Sequence, residues 1–391
     1  MKVSQIYEVV NSLTNQLLGK TDLLETDCSN IVDVGNEILD TAGVDNYAKA
    51  LNDLVGKQIF VNRVYKGKTP SVLMDGWEFG SVLEKVTMEL PNADQNEAWD
   101  LVDGQTYNQD VFYKPTISVK YYNNKSTFKI PMSIAEKQVK ESLLGIQQFN
   151  SFFSMIYNEI EKAMTVRLQE LVTSTIGNFI GATIHNEYGE DSLDSKSGVR
   201  AVNLLYLYNM ENGTALQASD CLKDPEFVRF MSYKMGLTAD RLGTLSNTFN
   251  IGGKSRFTPK ELLHTVMLAE AKRAAEVYLY NGSGQFRDEY LLLPEAETVD
   301  FWQGSGEKWE FSSTSKIDMV VSYEKGKDGV KVEASGILGV MFDRDALGVS
   351  NLNMTTTTHW NALGEFFNNY YKMEAGYFND FNENFVVFFV A

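Results

Sequence analysis

Between Pro131 and Gly181 no proline interrupts the chain. From Phe149 onward the apolar residues Phe152, Phe153, Ile156, Ile160, Ala163, Met164, Leu168, Leu171 and Phe179 recur at three- and four-residue steps, with Thr175 in the same phase. That period belongs to a helix buried along one side. Asn158, Glu159, Glu161, Lys162 and Glu170 take the other faces. Arg167 interrupts the stripe, either by reaching round to water with its charged head or as half of an intersubunit salt bridge. Upstream, Ser133-Ile134-Ala135-Glu136 has the Ser-x-x-Glu form of a helix start, and Gly145 ends the short helix it would open. A main helix of about 34 residues would be roughly 50 Å long at 1.5 Å per residue, more than a compact domain ordinarily needs.

Elsewhere the pattern changes. Residues 1–56 read as helical, with Ile6, Val9, Val10, Leu13, Leu17 and Leu18 on one face, then Ile38, Leu39, Ala48, Leu51, Leu54 and Val55 after a polar break. This segment has too few apolar residues for its own core and reads as an arm laid on the rest of the subunit or on a neighbour. From Gln58 the period is two: Val82, Glu84, Val86, Met88 and Leu90, then Ile117, Val119 and Tyr121, then Phe128 and Ile130 across Asn123-Asn124, a hairpin-type turn. Residues 58–131 are expected to form a projecting two-stranded loop. Such a ribbon is marginal in water, so one carrying Phe112, Tyr113, Tyr121 and Tyr122 needs a partner surface.

Residues 182–224 read as loop-rich, with a solvated acidic patch at Glu187, Glu190, Asp191 and Asp194. Asp224-Pro225-Glu226 starts a helix through Phe227, Phe230, Met231 and Met235. Thr258-Pro259-Lys260-Glu261 joins a capping box to a first-position proline, and Leu263, Val266, Met267, Ala274, Val277 and Tyr278 follow before Asn281-Gly282, which predicts a helix over 259–280. Strands are expected at Ile317–Tyr323, Val330–Glu333, Ile337–Asp343 and Phe385–Val390, the last an uncharged run that must be paired or buried.

Composition narrows the function classes. With 391 residues, 43% of them apolar, the chain can fill two or three domains. Its 35 basic and 52 acidic residues leave a net charge of −17, which argues against a surface that grips phosphates by counterion release. No N-terminal apolar stretch and no run of eighteen uncharged apolar residues occurs, so a soluble cytosolic chain with no membrane partner is expected. Cys28 and Cys221 lie in separate segments and read as buried thiols, which leaves little weight on the sequons at Asn124, Asn212, Asn281 and Asn353.

Candidate chemistry is sparse. His185, His264 and His359 stand apart, without metal-ligand spacing. Ile251-Gly252-Gly253-Lys254-Ser255 lacks the first glycine of a phosphate loop, and Gly282-Ser283-Gly284 lacks the third glycine of a dinucleotide loop and follows a helix. Asp343-Arg344-Asp345 reads as a turn with a salt bridge in preference to a cation site. Glu97, Asp100 and Asp103 read as solvated residues of the projecting loop in preference to glycosidase carboxylates. No catalytic, cofactor-binding or metal-binding residue is assigned, and no cofactor is expected.

The order of parts carries more than any motif. Four stretches, Phe128-Lys129-Ile130-Pro131-Met132-Ser133-Ile134, Thr258 to Tyr280, Gly336 to Gly348, and Lys372 through Phe388, resemble segments of the major capsid protein of tailed bacteriophages, the Hong Kong 97-type fold. The resemblance is one of layout and covers the whole chain. It implies an α+β fold with an N-terminal arm (1–57), an extended loop (58–131), a peripheral domain (132–185 and 320–391) holding a long spine helix, and an axial domain (186–319). It further implies a non-enzymatic protein that forms pentamers and hexamers of an icosahedral shell, with a separate scaffolding protein and a portal protein as partners. The shell would enclose double-stranded DNA without sequence-specific binding, assembled in the host cytoplasm and residing in the virion. Two alternatives are carried: an encapsulin-like nanocompartment shell, and a hydrolytic enzyme with a β-rich domain, motivated by 12% aromatic content and many carboxylates.

Overall fold

The computed structural model describes residues 70–74, 83–90, 102–106, 112–135, 146–278, 296–303, 308–322 and 329–391, with isolated positions between 11 and 110, and the backbone alone over 146–158. The expected arm, save isolated positions, the stop at Asn281-Gly282, and Glu97 and Asp100 lie outside this set. In chain order the strands are β1 (Leu73–Met74), β2 (Leu83–Met88), β3 (Ile117–Tyr122), β4 (Lys125–Ala135), β5 (Ala201–Asn203), β6 (Leu263–Leu268), β7 (Ala296–Val299), β8 (Ile317–Val321), β9 (Val330–Ala334), β10 (Ile337–Asp343), β11 (Leu347–Asn361), β12 (Phe366–Asn379) and β13 (Phe385–Phe389). The principal helices are α1 (Ile146–Tyr188), α2 (Leu204–Asn212), α3 (Pro225–Leu242) and α4 (Ala269–Tyr278). The chain divides into two compact units, one of Met1–Pro70, Lys125–Leu171 and Ser350–Gly376, the other of Ser71–Asn124, Val172–Val349 and Tyr377–Ala391.

In the first unit β12 and β4 run antiparallel, with Phe366 facing Ala135 at one end and Gly376 facing Lys125 at the other. This overturns the helix start at Ser133. Residues 125–135 alternate between outward and inward positions, and the Ser133 hydroxyl donates to Asn368 Oδ1 across the sheet at 2.6 Å instead of capping a helix. Pro131 is tolerated because β4 is an edge strand, where a missing N–H leaves no ladder bond unmade. The hairpin expected across Asn123-Asn124 is likewise absent. β3 pairs with β2, Met88 facing Ile117 and Leu83 facing Tyr122, while β4 turns to β12.

The second unit is built on a five-stranded sheet of order β5-β13-β10-β6-β7. Its central strands β10 and β13 are buried at every position, as the uncharged run at 385–390 requires. Strands from 186–319 (β5, β6, β7) and from 320–391 (β10, β13) share this sheet. The α1 helix extends over 43 residues, nine beyond the expected 34, and its C-terminal half lies on the sheet. Phe179 stacks on Phe385 with ring centroids 4.0 Å apart, and Tyr188 meets Phe389 edge-on. Ile160, Met164, Leu168, Thr175 and Phe179 of the predicted stripe are buried. Gly181 does not end the helix. It admits the β8–β9 hairpin, since a Cβ there would sit 2.8 Å from Val321 Cγ1. Arg167 pairs with Glu170 one turn along the same helix at 2.7 Å, both exposed.

The helix expected over 259–280 is split in two. After a single 3-10 turn at 260–262, residues 263–268 form β6, inserted between β10 and β7, and 269–278 are α-helical. Leu263, Thr265, Val266, Met267 and Leu268 are buried on both faces of a strand, a pattern that short apolar runs share with helices. Thr258 caps nothing: its hydroxyl donates to Asp343 Oδ2 at 2.7 Å and accepts from the Asn384 amide at 3.1 Å. By contrast α3 begins as read, with the Asp224 carboxylate accepting from the Glu226 N–H at 2.8 Å ahead of Pro225. Residues 182–224 are more ordered than expected. Glu187 is no solvated acid but accepts backbone N–H groups of Val199, Arg200 and Ala201, tying the end of α1 to β5.

Candidate assembly interface

The β2–β3 ribbon belongs to the second unit, and its polarity is inverted. Alternation places Val86 and Met88 of β2 on the same side as Ile117, Val119 and Tyr121 of β3, and register sets Val86 against Val119 and Met88 against Ile117. This apolar side faces outward, with Val86 60%, Met88 57% and Ile117 58% exposed. Leu90, Phe112 and Tyr113, which flank the strands, are exposed too. Of the four aromatics singled out in the sequence only Tyr122 turns inward, its ring 5.2 Å from that of Phe378.

The inward side carries Leu83, Lys85, Thr87, Ser118, Lys120 and Tyr122. Lys85 and Lys120 face each other across the ribbon, and two like charges in that position repel. Between them lies Asp380, only 1% exposed, taking Lys85 on Oδ2 at 2.9 Å and Lys120 on Oδ1 at 2.8 Å. Lys85 also reaches Glu383 at 2.8 Å, and the same Glu383 oxygen accepts from Arg256 Nε at 3.2 Å. Burial alone would raise the Asp380 carboxyl, but Lys85 and Lys120 hold it below its ordinary value. Burial would lower the Lys85 ammonium, yet Asp380 and Glu383 together push it up. Burial and the nearby Asp380 carboxylate likewise raise the Tyr122 phenol. None of Lys85, Lys120, Arg256, Asp380 or Glu383 stands out in the sequence. The available signal is the alternation itself, which groups Val86, Met88, Ile117, Val119 and Tyr121 with Glu84 on one side, and Lys85 and Lys120 with Leu83 and Tyr122 on the other.

The candidates weighed for chemistry are distributed elsewhere. His264 lies half-buried in β6 with its ring against Phe342, and burial lowers its pKa. It borders a cavity of about 1030 Å³ with Asp240 and Glu297, whose carboxylate is occupied by the Ser71 N–H and hydroxyl at 3.0 and 2.6 Å. His185 belongs to α1 and His359 to β11. Asp343 accepts from Thr258 and from the Asp345 N–H, closing a turn. Gly252 and Gly253 form a turn whose first N–H donates to Phe381 O at 2.8 Å. Among the described residues no group of three or more His, Cys, Asp or Glu side chains could hold a metal ion, and no helix is long and apolar enough to cross a membrane.

An outward apolar ribbon held by charge on its inner side suits a protein completed by other copies. The family model of Phi29-like phage major capsid proteins matches residues 10–389. The chain belongs to that family. It is a phage major capsid protein, a structural component of the virion that assembles with copies of itself into the shell. The α+β fold is Hong Kong 97-like. Among solved structures it is similar to a chain of the capsid of Staphylococcus phage Andhra, with a TM-score of 0.52 at 9% identity over 84% of this chain and 86% of that one. A second likeness is to a chain in the structure of the head fiber and inner core protein gp22 of native bacteriophage P68, with a TM-score of 0.50 at 8% identity over 85% and 86%. At such identities the likeness is one of fold. No curated protein sequence matches the chain.

Proposed function

We propose that the chain forms pentamers and hexamers that close an icosahedral shell around double-stranded DNA, and that its work is mechanical and not catalytic. The observation that carries this reading is the inverted ribbon. A monomer has no use for apolar residues presented on a salt-bridged support, whereas a lattice of copies covers them. In this reading 58–131 is the extended loop and 1–57 the arm. The peripheral part is drawn from 132–185 and 320–391 and the axial part from 186–319, the two sharing the five-stranded sheet. A net charge of −17 favours holding DNA by confinement instead of adhesion, which allows packing and release without sequence-specific contacts. A separate scaffolding protein and a portal protein complete the set of partners, and assembly takes place in the host cytoplasm.

The test is negative-stain electron microscopy of the purified chain, alone and with the products of neighbouring genes. Rings and closed shells are expected. A chain that stays monomeric under both conditions would sink the proposal. Shells that recruit cargo proteins and never DNA would favour a nanocompartment, a reading the viral family match does not favour.

A further inference from the structure

The ribbon's pose runs against the simplest hydrophobic expectation. A two-sided ribbon beside a folded body would bury its apolar face and leave its lysines in water, yet here Val86, Met88, Ile117 and Val119 point away and Lys85 and Lys120 point in. Beside Tyr122 against Phe378, the inner side is tied down through the ammonium groups of Lys85 and Lys120. They converge on one short loop between β12 and β13. That loop is itself fixed: the Asp380 N–H donates to Ala346 O at 2.6 Å, the Glu383 N–H to Asp380 O at 3.0 Å, and the Asn382 N–H to Asp380 Oδ1 at 3.2 Å. Lys85 adds a bond to Asp345 O at 3.2 Å. Asp380 thus offers each facing lysine one oxygen from a site that is 1% exposed, where salt screens little.

We propose that Asp380 is the positioning residue of the assembly ribbon, holding Lys85 and Lys120 to the α/β body so that the apolar face is turned outward in one register. The physical reason is the strand period. A slip of one residue would bring Glu84 and Val86 to the inner side, setting Glu84 near Asp380 and Glu383 and hiding half the apolar face. Electrostatics therefore selects both the face and the register, a use of buried ion pairs in specifying structure beyond any net stability they add. The inference rests on the reading of the outer face as an assembly surface, but the pose itself is measurable in the unassembled chain.

The experiment compares the full-length wild-type chain with Asp380→Asn, which keeps the shape and removes the charge, by hydrogen exchange mass spectrometry at neutral pH. Amides of 83–88 and 117–122 are expected to exchange at least tenfold faster in the variant, with those of β6, β10 and β13 unchanged and the concentration needed for assembly raised. Lys120→Gln, which leaves Lys85 on Asp380, is expected to speed ribbon exchange about threefold, and it decides the matter should Asp380→Asn fail to fold. Ribbon exchange equal to wild type in either folded variant would overturn the proposal, as would equal acceleration of the sheet, which would make Asp380 a general core residue. A freed ribbon with unaltered assembly would leave Asp380 as the anchor and refute instead the assembly role of the outer face.

Discussion

Replacing Met88 and Ile117 together with threonine tests the outer face most directly. The two are register partners on the exposed side of the ribbon, 57% and 58% accessible in the subunit, and threonine keeps a strand-compatible β-branch while removing most of the apolar surface. Burying a side chain of this size is worth about 1.5–3 kcal/mol in full, so covering the more than half that remains open contributes about 1–1.5 kcal/mol each. Allowing for the methyl that threonine retains, the pair should weaken each intersubunit contact by about 2 kcal/mol, or roughly thirtyfold in the concentration at which capsomers appear. Subunit stability should change by less than about 0.5 kcal/mol, since both side chains are more than half exposed in the monomer. Light scattering across a concentration series gives the threshold, and denaturant unfolding of the dilute subunit gives the stability. An unchanged threshold would show that the outer face is not covered in the shell. A large loss of subunit stability would show that the ribbon is part of the core.

Other expectations follow from single groups. Gly336 sits at φ 78° between β9 and β10, and a Cβ there would lie 2.0 Å from Val390 O, whose N–H donates back to Gly336 O. Gly336→Ala should therefore cost roughly 3 kcal/mol by combining a left-handed residue with a displaced backbone bond, and an unchanged melting temperature would refute this. Cys221 is buried, with its thiol pushed up to about 12, so iodoacetamide at pH 8 should leave it unlabelled in the folded chain and modify it only after unfolding, as peptide mapping would show. Because the folded Asp380 carboxyl is held below its ordinary 3.8, the stability it lends is present above that pH and disappears as pH falls through the depressed value. The titratable groups that face it are Lys85, Lys120, Tyr122 and Glu383, the last of which also pairs with Arg256. Ribbon protection should hold from neutral pH down to about 4 and fail below, a transition that Asp380→Asn should lack.

Much of the fold is legible where a local signal has a local use. Asp224-Pro225 marks a helix start because the capping carboxylate and the N–H it accepts lie two residues apart. The uncharged run at 385–389 is a buried strand because an uncharged hydrophobic strand has no stable exposed form. Misreadings arise where the same residues answer to distant partners. Thr258 has the spacing of a cap, but its hydroxyl is claimed by Asp343, 85 residues away. The apolar residues after it satisfy a helical step as well as they satisfy a strand buried on both faces, and the choice is made by β10 and β7 on either side. Ser133 is similarly drawn into a sheet by Asn368. The twelve residues from Gly348 to His359 carry a run of four threonines, a β-branched signal for β11 that apolar alternation does not register.

The interface was half legible for a related reason. Alternation in 83–88 and 117–122 shows a two-stranded ribbon with a mostly apolar side and a side that holds both lysines, and its aromatics ask for a covering surface. Which side faces the body depends on what lies beneath, and Asn379-Asp380-Phe381-Asn382-Glu383-Asn384 reads in isolation as a polar turn. Folding turns it into an acidic socket by burying Asp380 and aiming Glu383 at Lys85 and Arg256. The usual rule, apolar inward and charge outward, is reversed in the subunit, and in the proposed lattice a neighbouring copy would restore it. A chain evolved to be stable alone would have turned the ribbon over. This one anchors its charges on the body and leaves the apolar side outward, the arrangement that the proposed lattice requires.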